Sequence, residues 1–339
     1  MKPGNYWIIL LPNLNNFISG LIQLKFRNIQ YYLMEIFMSR YHKANILFFA
    51  LYISGMTALM IWQGIGITPD RYVFILLLAS LFVKKTRRFL LDWSPFIFIL
   101  IAYDFLRSFA DKLDQRVHYL PMIQLDQKVF GQVPTVFLQQ HLFSIGQLHW
   151  YDYLATLFYF LHFALPLGFA FMLWVKNREH FKKFTNSLMV LSYGAFITYV
   201  VFPASPPWLS AEDGLLPGVT KILDSTLKTF PQRLNLPSIY NNFDPNTVAA
   251  VPSLHAAYPF LVFLIGLKIF RKKALFFLPY VLGVWFSVIY LGEHYATDVA
   301  LGAIYAVAAF YMAEKLGNSS ILARSYLFVK EKVLSRSIT

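Results

Sequence analysis

Eight apolar runs, each near the length of a membrane crossing and parted by short stretches rich in lysine and arginine, constrain this 339-residue chain most. They cover about residues 44–62, 71–83, 93–106, 151–175, 185–202, 256–270, 274–291 and 297–314. A helix needs roughly 20 residues to cross a bilayer, and tilt accommodates shorter or longer runs. Inside lipid every backbone N–H and C=O must be satisfied within the protein, so such runs fold as helices. The second and third are short and fit a tilted pair. Composition agrees, because 57% hydrophobic and only 14% charged residues exceed what a soluble core needs. The 18% aromatic content suits lipid-facing and interfacial surface. The expected fold is an all-α, polytopic integral membrane helical bundle with a six-helix catalytic core.

Charge orients it. If the runs alternate, the basic stretches at 40–43, 84–88, 176–183 and 271–273 and the tail from 315 share one side, which the positive-inside rule makes cytoplasmic. The net charge of +13 therefore reads as topology and membrane contact, with no nucleic-acid partner. The other side receives 107–150, 203–255 and 292–298. Ahead of the first run, Trp7, Phe17, Leu21, Phe26 and Tyr31 lie among Lys25, Arg27 and Arg40, a pattern for an interfacial helix. Expected domains are thus an interfacial segment 1–43, accessory spans 44–92, a catalytic membrane domain 93–316 and a basic cytoplasmic tail 317–339. No compact signal-peptide pattern opens the chain, so the first span is expected to direct insertion. Zero cysteines exclude disulfides, thiolate zinc sites and cysteine nucleophiles.

Two polar islands interrupt this apolar sequence, Val251-Pro252-Ser253-Leu254-His255 and Gly292-Glu293-His294-Tyr295-Ala296-Thr297-Asp298. Both fall on the extracytoplasmic side. At a four-residue spacing near a helix start, Asp298 can accept from one imidazole nitrogen of His294, fix its tautomer and leave the other nitrogen basic. That makes His294 a candidate nucleophile. His255 can protonate a departing alkoxide, and Ser253 with the amides opening the next helix can hold phosphate oxygens. The segment 202–208, Phe-Pro-Ala-Ser-Pro-Pro-Trp, is a stiff exit from the fifth run and a candidate site wall.

At these residues the chain resembles the type 2 phosphatidic acid phosphatase superfamily, whose motifs are Pro-Ser-x-His and, later, His-x-x-x-Asp. It is similar to the branch holding inositol phosphorylceramide synthases and bacterial relatives. That likeness rests on Asp92-Trp93-Ser94-Pro95-Phe96, Tyr103-Asp104-Phe105-Leu106-Arg107, the stretch 131–139 (Gly-Gln-Val-Pro-Thr-Val-Phe-Leu-Gln), 202–208, 250–257 and Tyr290-Leu291-Gly292-Glu293-His294-Tyr295. It spans about 93–302. The resemblance implies that His255 is the leaving-group acid, that His294 forms a phosphohistidine and that Asp298 orients it, with no metal and no cofactor.

Two phosphate-binding cations of the superfamily pattern are missing. Lys85 is followed at the arginine's spacing by Asp92, and the usual Ser-Arg pair reads Ser287-Val288. Arg107 is the expected replacement, with Lys112 and Arg116 behind it. His118, His141, His149 and His162 read as packing or interfacial residues. The functions compatible with the sequence are a metal-independent phosphotransferase moving a phosphorylated head group between lipids, a hydrolase of lipid phosphates or polyprenyl diphosphates, and a non-enzymatic transporter. The expected partners are a phospholipid or other lipid-phosphate donor, a lipid or polyol acceptor and the bilayer. An acceptor pocket is expected from 111–150 and 209–248. Oligomeric state leaves no trace in the sequence.

Overall fold

A computed structural model describes residues 117–230 and 247–317, together with Leu51, Ser54, Gly55, Phe89, Leu90, Asp92, Trp93 and Ile97, all eight helical. The chain divides into two compact units, Met1–Phe74 and Ile75–Thr339, and everything below concerns the second. The interfacial segment 1–43, most of the first three runs, the cations Arg107, Lys112 and Arg116, and the tail from 318 lie outside the described residues.

The second unit is a helical bundle without strands among its described residues. In chain order come α1 Leu120–Phe130, α2 Pro134–Leu142, α3 Trp150–Lys176, α4 Arg178–Val201, α5 Pro207–Glu212 and α6 Ile222–Leu227. Then follow α7 Leu254–Phe270, a 3₁₀ helix Arg271–Phe277, α8 Leu278–Tyr290 and α9 Ala296–Gly317. Three of these helices, α3, α4 and α9, are long and apolar enough to cross a membrane. At the centre α7 packs on α9, α8, α3 and α4.

Local chemistry sets the ends. His149 and Asp152 form a reciprocal cap on α3, with the His149 amide donating to the Asp152 carboxylate at 2.7 Å. The α3 to α4 connection is a single residue, because the Asn177 carboxamide accepts from the amides of Glu179 at 2.9 Å and His180 at 3.1 Å. The basic stretch 176–183, expected as a loop, is therefore mostly the first turns of α4. Likewise 271–273 opens the 3₁₀ helix, entered through Arg271 at φ 54°. Helices α3, α4, α7, α8 and α9 fall on the five runs expected over this region, but only α3, α4 and α9 are long and apolar enough to cross a membrane, and α4 begins at Arg178 rather than at 185.

Between helices the bundle is joined by polar contacts as well as packing. Ser192 and Tyr258 hydroxyls meet at 2.9 Å, Thr198 and Tyr305 at 2.7 Å, and the Tyr280 hydroxyl donates to the Leu161 carbonyl at 3.0 Å. Such bonds contribute about 0.6 kcal/mol each in a membrane, with packing supplying most of the rest. The bundle's flanks are apolar: Ile197, Ile304 and Phe276 are each more than 60% exposed, as side chains facing lipid would be.

The geometry predicts opposite membrane sides for Glu179, beside the α3–α4 turn, and Lys228, at the other end of α3 where Thr226 meets Thr156 at 2.8 Å. Roughly 30 Å of helix separates these levels at 1.5 Å per residue. Since the chain has no cysteine, Glu179→Cys and Lys228→Cys provide single reporters. In sealed cells an impermeant maleimide should label one of them, and in inside-out vesicles the other. Labelling of both from one side would refute this arrangement.

Candidate active site

His255 and His294, 39 residues apart in the chain, meet side chain to side chain: His255 Nδ1 lies 2.8 Å from His294 Nε2. His255 sits in the first turn of α7, whose N-cap is Ser253, with its hydroxyl accepting from the Ala256 amide at 3.2 Å. Ser253 is fully buried. Its role as a cap leaves the hydroxyl proton available to an anion.

His294 stands in the turn before α9, two residues ahead of the helix rather than inside it. Its amide and that of Glu293 both donate to the Val288 carbonyl, at 3.0 and 3.1 Å. Asp298, in the first turn of α9, accepts from the Tyr295 amide at 2.9 Å through Oδ2. The same oxygen faces His294 Nδ1 at 3.5 Å. This is longer than a formed N–H···O bond, and catalytic hydrogen bonds often tighten only when a ligand arrives. His294 is 4% exposed and Asp298 wholly buried. One carboxylate thus closes the helix N-terminus and backs the imidazole.

The two islands are joined through backbone. The Ser253 amide donates to the Asp298 carbonyl at 3.1 Å. Gly302, one turn further along α9, lies so close that a Cβ there would fall 2.3 Å from the Ser253 carbonyl oxygen. On its other side His255 is packed by aromatic rings. Tyr159 stacks on it at 4.7 Å and His162 meets it tilted at 58° with centroids 4.1 Å apart, both from α3. His162, expected as a packing residue, therefore packs against the site itself.

The short helices supply a second set of supports that carry no motif. Asp126 of α1 is fully buried and accepts from the amides of Ala296 at 3.1 Å and Thr297 at 2.9 Å and from the Thr297 hydroxyl at 2.7 Å. It caps α9 from 170 residues away. Burial pushes its carboxyl above the ordinary aspartate range, outweighing the opposite pull of the Thr297 and Ala296 hydrogen bonds. Gln139 of α2 donates to the carbonyls of Tyr290 at 2.8 Å and Thr220 at 2.9 Å, and accepts from the Thr220 amide at 2.7 Å. The Thr135 hydroxyl reaches the His294 carbonyl at 3.4 Å. These polar residues are separated from their partners by more than 80 positions, so no local spacing announces them.

The stiff segment 202–208 is part of this frame. Ala204 bridges to His118 on one side and to Ala249 on the other, and the Trp208 amide donates to the Gly292 carbonyl at 3.0 Å. The other histidines expected as packing residues act as such. His118 stacks on Phe202 at 4.1 Å, His141 meets the Phe137 carbonyl at 2.8 Å, and His149 caps α3. Among the expected site residues, then, Ser253, His255, His294 and Asp298 come together. Arg107, Lys112 and Arg116 fall outside the described residues.

Comparison with known proteins adds a family. A family model described as the PAP2 superfamily matches residues 121–312. The phosphoinositol dihydroceramide synthase of Bacteroides thetaiotaomicron is 27% identical over 283 residues, covering 78% of this chain and 92% of that one. The inositol phosphorylceramide synthase catalytic subunit AUR1 of Saccharomyces cerevisiae is 26% identical over 282 residues, covering 79% of this chain and 68% of its own length. The inositol phosphorylceramide synthase of Candida albicans is 25% identical, with 70% and 54% covered. No solved structure matches at a significant level.

The close approach of α9 to Ser253 gives a prediction. Gly302→Ala must displace the backbone that carries Ser253 and His255, and should cost about 1–3 kcal/mol. Gly194→Ala is the control, since nothing lies within 4 Å of its added methyl in mid-α4. There the change should be neutral or stabilising by roughly 0.5–1 kcal/mol. Thermal unfolding in detergent separates the two. Equal shifts would mean that the α9–Ser253 contact is slack.

Proposed function

The chain belongs to the PAP2 superfamily, and from this premise we propose that it is a lipid phosphotransferase that moves a phosphoinositol head group from a glycerophospholipid to the hydroxyl of a ceramide-like lipid. The observation that carries the reading is the His255–His294 contact at 2.8 Å with Asp298 behind His294. Two imidazoles joined by their reactive nitrogens, one backed by a carboxylate, make a nucleophile and an acid that a phosphoryl group can bridge.

In the proposed reaction the donor phosphate replaces the direct ring-to-ring contact, and the two rings part to admit it. His294 Nε2 attacks phosphorus, and the bond to the glycerolipid oxygen breaks. His255 gives that oxygen its proton, releasing diacylglycerol and leaving phosphoinositol on His294. The acceptor hydroxyl then loses its proton to His255 as its oxygen attacks phosphorus, which frees His294 and restores the acid. Asp298 stabilises the positive charge that the first ring acquires. Tyr159 and His162 hold the plane of His255, and Ser253 and the opening amides of α7 receive phosphate oxygens. No divalent ion is required by these steps. By the positive-inside argument the site opens on the extracytoplasmic face.

Purified protein given phosphatidylinositol and ceramide should form inositol phosphorylceramide and diacylglycerol in equal amounts by mass spectrometry. Diacylglycerol without the ceramide product would indicate hydrolysis instead, and no product would remove the enzyme reading. Chelator should leave the rate unchanged, and loss of activity restored by magnesium would overturn the metal-free scheme.

The two histidines should respond differently to the leaving group. His294→Ala should abolish turnover and any covalent phosphoprotein. His255→Ala should lose about 10²–10⁴-fold on the lipid but far less on a nitrophenyl phosphodiester, whose leaving oxygen needs no proton. Identical losses on both substrates would leave the acid and nucleophile roles unsupported.

A further inference from the structure

Transfer of a phosphoryl group relies on fixed positive charge beside its oxygens, and neither position missing its cation is compensated locally. Asp92 pairs with Arg178 at 3.0 Å and accepts from Trp174 Nε1 at 2.8 Å. That contact is about 18 Å further along α3 than the Tyr159–His162 level, at 1.5 Å per residue. Ser287 donates to the Gly283 carbonyl at 2.7 Å, and Val288 offers the His294 turn only its carbonyl.

Among the described residues at the site end of the bundle, the cationic side chains besides histidine are Lys128, Lys221 and Lys228. Lys128 and Lys228 are exposed, whereas the Lys221 side chain is 15% exposed. Its ammonium sits 4.0 Å from the centre of the Trp208 ring and 3.8 Å from Asp224 Oδ1. Both flanks of this pair hold the His294 turn. Trp208 donates to the Gly292 carbonyl at 3.0 Å and Ile222 to the Leu291 carbonyl at 3.2 Å. Gly292, at φ 86°, would bring a Cβ to 3.1 Å from the Thr220 carbonyl.

We infer that Lys221, seated on Trp208, binds the phosphate of the donor lipid in place of the superfamily's missing cations; this rests on the phosphotransferase reading. An ammonium held against an indole face is partly stripped of water, which strengthens its attraction for an incoming anion. Asp224 at 3.8 Å is too far for a hydrogen bond, so a phosphate can displace it. As a point charge on a flexible stem, lysine can follow a phosphoryl group as it passes between His294 and the two lipid oxygens.

Two readouts test this: transfer from short-chain phosphatidylinositol, and thermal stabilisation by inorganic vanadate, which needs no turnover. Lys221→Gln should raise the donor KM at least tenfold and leave the acceptor KM alone. It should also weaken vanadate stabilisation at least tenfold in concentration. Lys221→Arg should recover most of both effects, and Asp224→Asn should tighten vanadate binding, which loss of a merely structural lysine would not predict. If the native protein transfers phosphoinositol but Lys221→Gln changes neither readout, the Lys221 assignment falls and the function stands. If the native protein makes no transfer product while vanadate still stabilises it through Lys221, the function falls and the anion site stands. Absence of vanadate stabilisation in the native protein would count against the site.

Discussion

Everything at the candidate site depends on how closely α9 lies against the entrance of α7. The Ser253 amide to Asp298 carbonyl bond at 3.1 Å and the bare face of Gly302 draw two separate turns of chain together. From that backbone contact the two imidazoles acquire their 2.8 Å meeting, because His255 is two residues from Ser253 and His294 four from Asp298. Side-chain rotamers alone could not produce it. The rings stand where the packing of two helices puts them, which is the preorganisation that phosphoryl transfer draws upon.

A site of this kind sets buried polar groups in surroundings that solvate them poorly, so each must find a partner within the protein. The short helices provide them. Asp126 takes the amides that α9 would otherwise leave bare at its N-terminus, and Gln139 ties the end of α8 to residue 220; within the bundle itself Tyr290 donates to Asp152. The bundle by itself would be five hydrophobic elements with ragged polar ends. What α1, α2, α5 and α6 contribute is the closing of those ends around the His294 turn. The buried face of α1 shows this, with an aspartate beside Met122 and Ile123.

How much of this is legible in the sequence follows from the range of each interaction. The spans are legible because lipid imposes a length and an apolarity that one segment satisfies alone. Ser253, His255, His294 and Asp298 are legible because a cap, a helix start and a four-residue spacing are local relations. Asp126, Gln139 and Lys221 are not. Their partners lie 81 to 171 residues away or, for Trp208 and Lys221, across a turn whose course the sequence does not dictate. In isolation each reads as a polar residue on an extramembrane loop. His162 is an intermediate case: its place on an apolar span marks it as partnered, and only the tertiary packing shows that the partner is His255. Span boundaries were displaced for a related reason. Lysines and arginines at 176–183 signal topology, yet an Asn177 cap lets them begin a helix at once, with their charged ends extended past the apolar surface.

The same arrangement bears on the choice between an alcohol and water as the final acceptor. Both would be activated by His255, and neither is distinguished by the triad. The distinction must come from what covers the His294 turn, and the described cover is aromatic and proline-rich: Trp208 leads from Pro206 and Pro207, and Tyr159 and His162 flank His255 from the bundle side. In the proposed reaction, a phosphohistidine beside such residues would be reached more readily by an amphipathic alcohol than by bulk water. Excluding water also strengthens every charge interaction within the wall. In the proposed reaction these covering residues, and not the histidines, are therefore where specificity for a lipid acceptor would reside.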